Sequence, residues 1–306
     1  MTLHFHPLSL ADQHDIRSRV STTECRNCDL NFVNLYAWRF LYDTEVAFTD
    51  AHLLFRFRAD GHLAYLPPVG PYPCPDVLTA LMADAAAHDA PFLMLGACEA
   101  IVEAIHASLP DHFYAKADRA FSDYLYSREQ FATFGGKKLQ AKRNFVNRFT
   151  RQFPDYEFVP LTASLMPECL ALDERWTAQK TADASEAGRC TYEAERQALQ
   201  RVAERWDELE VTGAALRVDG CVVAFTYGAP INHDTFDICA EKADTRYEGA
   251  FATMARDFAR SLPPQYVLLN REEDLGIEGL RQSKLSYRPV RLLDKYTLMT
   301  KHPLGC

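Results

Sequence analysis

The stretch EVTGAALRVDGCVVAFTYG, Glu210–Gly228, reads as two strands folded about Asp219-Gly220. A two-residue Asp-Gly link between apolar runs is a strong hairpin signal, because both linker positions need positive φ. Outward from it, Thr235–Glu241 is a third strand. Gly249–Ser261 is a helix stopped by Pro263-Pro264, Tyr266–Asn270 a strand, Glu278–Leu285 a helix and Val290–Met299 a strand. Upstream, Leu165–Gln179 and Tyr192–Asp207 are helical, with a polar small-residue loop at Thr181–Arg189.

The first half has the same order. Ser9–Val20 and Asn27–Phe40 are helices, and Thr44–Phe48, Leu53–Phe57 and Leu63–Leu66 are strands. After a proline-rich loop come a helix (Asp76–His88), a strand (Pro91–Leu95), a helix (Cys98–Ser108) and the strands Phe113–Ala117 and Ser122–Tyr126. Three strands in succession, then alternation with helices, imply a mixed sheet covered on both faces. This order resembles the GNAT acyltransferase fold. The expected class is α/β, an α+β mixed sheet in two tandem GNAT-like domains: 1–128, then 129–306 with a basic connecting helix.

The chain has 306 residues, 48% of them hydrophobic, enough for a full core without staples. Its net charge is −9, from 33 basic and 42 acidic residues, which argues against bulk non-specific nucleic-acid binding and against DNA as partner. No run reaches the about 18 apolar residues of a membrane span. The first fifteen residues lack a cationic start followed by an apolar stretch. Nine cysteines, an odd number, fit a reduced compartment, so a cytoplasmic protein is expected. Cys25 and Cys28 form one C-x-x-C with no second ligand pair, and read as ordinary thiols with no metal.

One segment breaks the acidic trend. Gly135–Arg151, GGKKLQAKRNFVNRFTR, carries Lys137, Lys138, Lys142, Arg143, Arg148 and Arg151 and no acid. On a helix, Leu139, Val146 and Phe149 share one side, and Lys138 and Lys142 flank that stripe. Two readings stand: a solvated face paired with nearby acids, or a site for a polyanion, either cofactor phosphates or an RNA backbone.

Several runs together resemble a known bacterial family. They are CDLNFVNLYAW (Cys28–Trp38), Pro68-Val69-Gly70, Asp123-Tyr124-Leu125-Tyr126, the basic run, Glu241-Lys242-Ala243 with Tyr247 and Gly249, and NREEDLGIEGLRQSKLSYRP (Asn270–Pro289). The chain is similar to the soluble relatives of the phosphatidylglycerol lysyltransferase C-terminal domain. That resemblance implies two GNAT-type domains in tandem, as in Fem-type peptidoglycan aminoacyltransferases. It implies transfer of an aminoacyl group from aminoacyl-tRNA, with no tightly bound cofactor. The acceptor would be a small molecule, a lipid or a peptidoglycan precursor.

In such a fold two neighbouring parallel strands splay apart and admit the donor. Here those strands end at Glu241 and Asn270, and ligands are expected at the carboxyl ends of strands. Aminoacyl transfer needs a base, a group that stabilises the oxyanion and a proton for the leaving ribose oxygen. Glu241 is the expected base, Lys242 or Arg271 the charge stabiliser, and Tyr287 or Lys284 the proton donor. Asp274 suits the donor's α-ammonium. Asn270, Glu272, Arg281, Tyr247 and Gly249 are expected to line the substrate site.

Acyl-CoA enzymes of this fold bind pyrophosphate with a pattern Q/R-x-x-G-x-G/A at a helix start. The corresponding stretch is Arg246-Tyr247-Glu248-Gly249-Ala250-Phe251, with Phe251 at the second small position and Glu248 adding negative charge. This favours aminoacyl-tRNA over acyl-CoA, which stays as the alternative donor. A non-catalytic ligand-binding module of the same fold is the second alternative. If all six cations of the basic run met RNA phosphates, binding would fall with salt at a slope of about −4 to −5.

Overall fold

The structure is a computed structural model that describes residues 1–181 and 186–301. The chain forms two compact units, neither a continuous stretch. The first comprises Met1–Asp123, Glu273–Glu278 and Leu292–Cys306, the second Tyr124–Glu272 and Gly279–Arg291.

In the first unit, seven strands form one sheet: β1 (His6–Pro7), β2 (Glu45–Phe48), β3 (Leu53–Ala59), β4 (His62–Tyr65), β5 (Leu93–Ala97), β6 (Phe113–Ala117) and β14 (Tyr296–Thr300). Their spatial order is β1-β2-β3-β4-β5-β14-β6. β4 and β5 run parallel, while β14 lies antiparallel to both β5 and β6. Helices α1 (Gln13–Ser21), α2 (Phe32–Tyr42), α3 (Pro75–Ala87) and α4 (Glu99–Ser108) complete the unit. Helix α3 starts with Pro75 in its first turn, where no N–H is needed. It buries Val77, Leu78, Leu81, Met82 and Ala85, a 3.6-residue stripe, against Leu54, Tyr65, Met94 and Leu298. Leu298, on the last strand of the chain, therefore belongs to the core of the first half.

The second unit is built on β7 (Asp123–Ser127), β8 (Glu157–Pro160), β9 (Thr212–Val218), β10 (Cys221–Pro230), β11 (Thr235–Ala243), β12 (Leu268–Asn270) and β13 (Arg291–Leu293), in the order β13-β7-β12-β11-β10-β9-β8. The β9–β10 hairpin turns at Asp219 and Gly220, with φ of 50° and 78°, the two positive angles that the Asp-Gly pair predicted. The helices are α5 (Arg128–Thr133), α6 (Gln140–Gln152), α7 (Met166–Thr181), α8 (Glu186–Glu204), α9 (Ala250–Ser261) and α10 (Glu278–Ser286). Helix α9 buries Ala250, Met254 and Phe258 along one face.

The mixed α/β class and the two sheets match the sequence reading. Three details differ. The single strand expected over Val290–Met299 is two strands in two different sheets, β13 and β14, parted at Asp294-Lys295. The side chain of Asp294 accepts a hydrogen bond from the Ser122 hydroxyl, and Lys295 is buried among carboxylates, so neither continues a ladder. Strand β1, helix α5 and strand β8 went unpredicted because all three are short. The centre of the loop expected at Thr181–Arg189 lies outside the described residues, and α8 already begins at Glu186, ahead of the predicted Tyr192.

Candidate active site

In the second unit the sheet opens between two neighbouring strands. Strands β11 and β12 pair in parallel only over Thr235–Asp237 and Leu268–Asn270. Beyond Asp237, β11 runs on to Ala243 while β12 has ended. Against β10 the register slips between Tyr227 and Gly228, leaving Cys239 as the extra residue of a bulge, which bends a strand and increases its twist.

Past this parting lies a buried ion pair. Nη2 of Arg271 donates to Oε2 of Glu241 at 2.5 Å, and each side chain is only about a tenth exposed. The guanidinium carbon lies 4.9 Å from the ring centroid of Tyr287, 5.4 Å from Phe131 and 5.6 Å from both Tyr126 and Phe251. Aromatic faces attract a cation through the ring quadrupole. Burial works against the charge of Arg271, but Glu241 outweighs it and the group stays protonated. Its Nη1 is buried with no hydrogen-bond partner. An orphaned charged donor is costly, so it marks a place where an acceptor belongs. Lys284 donates to the Arg271 carbonyl, and Tyr126 donates its hydroxyl to the Lys284 carbonyl at 2.8 Å. Burial, opposed by Arg271, raises the Tyr287 phenol above its ordinary value.

Lys142 joins this group. It lies on α6 between the buried Leu139, Val146 and Phe149, at the i, i+3, i+4 spacing that puts all four on one face. Its Nζ sits 3.6 Å from the centroid of the Tyr287 ring. Burial, then the charge of Arg271, brings its pKa down to about 8, with Glu241 opposing. The same helix is pressed against the start of α9 at Gly249. That glycine has φ of 92°, and a Cβ there would stand 2.2 Å from the Phe145 carbonyl oxygen.

Other residues singled out from the sequence go elsewhere. Lys242, next to Glu241 on the strand, has different partners: Nζ is 2.9 Å from Glu195, 3.5 Å from Asp173 and 3.8 Å from the centroid of the Trp176 ring. Burial raises the Asp173 carboxyl, with Lys242 opposing. Asp274 belongs to the first unit, where its fully buried carboxylate accepts from Arg119 at 3.0 Å and from the Gly276 amide at 2.9 Å. The Asn270 side chain accepts from the Glu272 amide at 2.7 Å and shapes the turn after β12. Tyr247 packs its ring at a tilt against Phe153, and Arg281 is half-buried on α10.

The six cations of the basic run separate. Lys142 turns inward. Arg143 donates to the carbonyls of Phe134 and Gly136, and Arg148 pairs with Glu248. Lys137, Lys138 and Arg151 are exposed.

Two features of the first unit escaped the sequence reading. Lys295 is buried with Nζ 2.9 Å from Asp123 and 3.2 Å from Asp29, and it also meets Glu273. Burial works against its charge, yet Asp123 and Asp29 hold its pKa well above the ordinary lysine value. The Cys28 amide donates to Asp123 at 3.0 Å. Cys28, Asp29 and Glu273 are close enough to share a metal ion, but the Lys295 ammonium already sits with them. Asp237, Cys239 and Glu272 in the second unit are a comparable trio. The other feature is Cys98, which leads into α4. A hydrogen bond from the Cys25 thiol, with the Ile101 and Ala100 amides, lowers its pKa to about 6 against the opposing effect of burial. The aromatic cage was missed as well. Tyr126 lies in one of the family-like runs, but Phe131 sits on the unpredicted α5. Phe251, which spoils the pyrophosphate pattern, walls the cage.

Among the described residues no helix is long and apolar enough to cross a membrane. The sequence matches the family described as phosphatidylglycerol lysyltransferase, C-terminal, over residues 21–299. It is 45% identical to a conserved protein of unknown function from Bacteroides thetaiotaomicron, with TM-score 0.94, covering 98% of this chain and all of that one. It is similar to L-PGS from Bacillus licheniformis (TM-score 0.66, 16% identity, 95% of this chain and 92% of that one). It is also similar to FemX (TM-score 0.60, 8% identity, 96% of each chain), a likeness of fold. A relative in Mycoplasmoides gallisepticum, itself uncharacterised, is 22% identical over 175 residues. That match covers 57% of this chain and only 55% of the relative's length.

Proposed function

The chain belongs to the phosphatidylglycerol lysyltransferase C-terminal family, and from that premise we propose that it transfers an aminoacyl group from aminoacyl-tRNA to an amine or hydroxyl acceptor. The observation that carries this reading is the orphaned Nη1 of Arg271, buried just past the parting of β11 and β12. A fixed cationic donor in a dry site stabilises an oxyanion far better than one in water, because no solvent must reorganise. The donor's ester carbonyl would lie on Nη1 and gain negative charge there as the acceptor attacks. Glu241 holds the guanidinium in place. Tyr287, kept protonated by burial, would give its proton to the departing ribose oxygen. Lys284, through the Arg271 carbonyl, fixes the backbone that carries the guanidinium.

The loop before α9 supports a tRNA donor over acyl-CoA. Arg246 is held by Asp244 in a two-pronged ion pair at 2.6 and 3.0 Å. Glu248 is held by Arg148, and Gly249 is required for packing on Phe145. The charged side chains of this loop, Arg246 and Glu248, are thus already paired within the fold.

The test is binding and transfer with a mixed tRNA pool, charged against uncharged, using candidate lipid, peptidoglycan-precursor and small amine acceptors. Selective binding of charged tRNA with transfer of label supports the reading. Equal binding of both forms, or tight binding of coenzyme A with acyl transfer, sinks it.

A further inference from the structure

A lysine on the buried side of an amphipathic helix normally has a carboxylate partner, since an unpaired buried charge is costly. Lys142 occupies such a position, in line with Leu139, Val146 and Phe149. Its Nζ makes no hydrogen bond among the described residues and rests on the face of Tyr287. Three charged or titratable groups surround it: Arg271 after β12, Glu241 on β11 and Tyr287 after α10. The carboxylate among them is already taken by Arg271.

That arrangement separates two jobs. Glu241 is committed through Oε2 to the guanidinium, so its job is to hold Arg271 in place. An amine that is half-buried, beside a fixed cation and free of hydrogen bonds has a lone pair available when neutral. We propose that Lys142 is the proton acceptor of the transfer reaction, taking the proton that the acceptor amine or hydroxyl sheds as it attacks the donor ester. The inference rests on the reading of function above, and it moves the base from Glu241 to Lys142.

The step balances. The acceptor N–H or O–H proton passes to neutral Nζ as the new bond to the ester carbon forms, and the carbonyl electron pair moves onto oxygen at Arg271. The pair returns, the carbon–ribose oxygen bond breaks, and the ribose oxygen takes a proton from Tyr287. The Lys142 ammonium then restores the Tyr287 proton through solvent. A base titrating near pH 8 is well placed for this work at neutral pH.

The experiment compares wild type with Lys142→Arg and Lys142→Met in the transfer assay across pH 6–10. The arginine keeps a cation on Tyr287 but cannot lose its proton. We expect wild-type kcat to rise through an acid limb near pH 8. Lys142→Arg should fall by about 100-fold while binding charged tRNA as wild type does. Lys142→Met should regain rate with added ethylamine, in proportion to the free-base concentration. A Lys142→Arg enzyme within about threefold of wild type, with the acid limb unchanged, overturns the inference alone. Absence of transfer in the wild type overturns the reading of function, and the inference with it.

Discussion

Arg271 and Glu241 form a pair that is about nine-tenths buried, with one nitrogen of the guanidinium left over. Two ions taken out of water recover their solvation only through each other. The pair therefore behaves as one unit, and the spare nitrogen is its outward-acting part.

Removing either partner should be more harmful than removing both. Glu241→Leu alone leaves a buried guanidinium uncompensated and should cost about 3–5 kcal/mol. The double variant Glu241→Leu with Arg271→Met should cost clearly less than the sum of the two single changes. Urea denaturation of the four proteins closes the cycle, and additive costs would show that the two do not act as a pair.

Cys98 should be the reactive thiol of the first unit. With the Cys25 thiol donating to it, half-maximal alkylation by iodoacetamide is expected near pH 6. Cys25→Ala removes the largest stabilising contact of the thiolate, so the midpoint should move upward. Cys28 and Cys239, whose thiols burial pushes well up, should stay unlabelled in the native protein. Peptide mass spectrometry over pH 5–9 reads all of these sites together.

Lys295→Met should destabilise the protein by about 3–5 kcal/mol at pH 7, because it strands Asp29, Asp123 and Glu273. In the wild type the Lys295 pKa is raised on folding. Its contribution is thus complete below the ordinary lysine value of 10.5 and is lost as pH rises beyond that. Urea midpoints of both proteins from pH 7 to 11 test that sign.

Two glycines with left-handed backbones should respond unequally to alanine. Gly220, at φ 78°, has open space around its missing Cβ, so Gly220→Ala should cost about 1 kcal/mol from backbone strain alone. Gly249→Ala adds a collision with the Phe145 carbonyl and should cost about 2–4 kcal/mol, from strain plus overpacking. Equal shifts in thermal midpoint would mean that α6 is not pressed on the start of α9.

RNA binding should depend on salt less steeply than six free cations would give. Lys137, Lys138 and Arg151 are exposed, whereas Lys142, Arg143 and Arg148 are engaged within the fold. Three phosphate contacts give a slope of about −2 to −3. Charge-removing changes at Lys137 and Lys138 should flatten it further, while Lys142→Met should leave it unchanged. A plot of log affinity against log salt for each protein decides this.

Much of the fold was legible in the sequence because it depends on local signals. Asp219-Gly220 could only turn, Pro263-Pro264 could only stop α9, and the stripe of α3 could only face a sheet. Glu241 and Arg271 were legible together because they lie near the carboxyl ends of two strands that run side by side, and Lys284 and Tyr287 because they fall on the next helix and its exit. Lys142 was legible as a flank of the apolar stripe of Leu139, Val146 and Phe149, but its place over the Tyr287 ring depends on what that face of α6 packs against.

The sequence by itself determined the element types, their order and the polar strand ends, all of which follow from neighbours within a few residues. The tertiary structure alone decided that Val290–Met299 divides between two sheets, that Leu298 fills the core of the first half, and that Glu241 and Lys242 serve different partners. It also decided that Arg271 keeps one nitrogen unpartnered among four aromatic rings contributed by β7, α5, α9 and the end of α10. These outcomes depend on contacts between residues far apart in the chain, and on burial, which changes what a charge costs. A sequence read for its local periodicity carries neither.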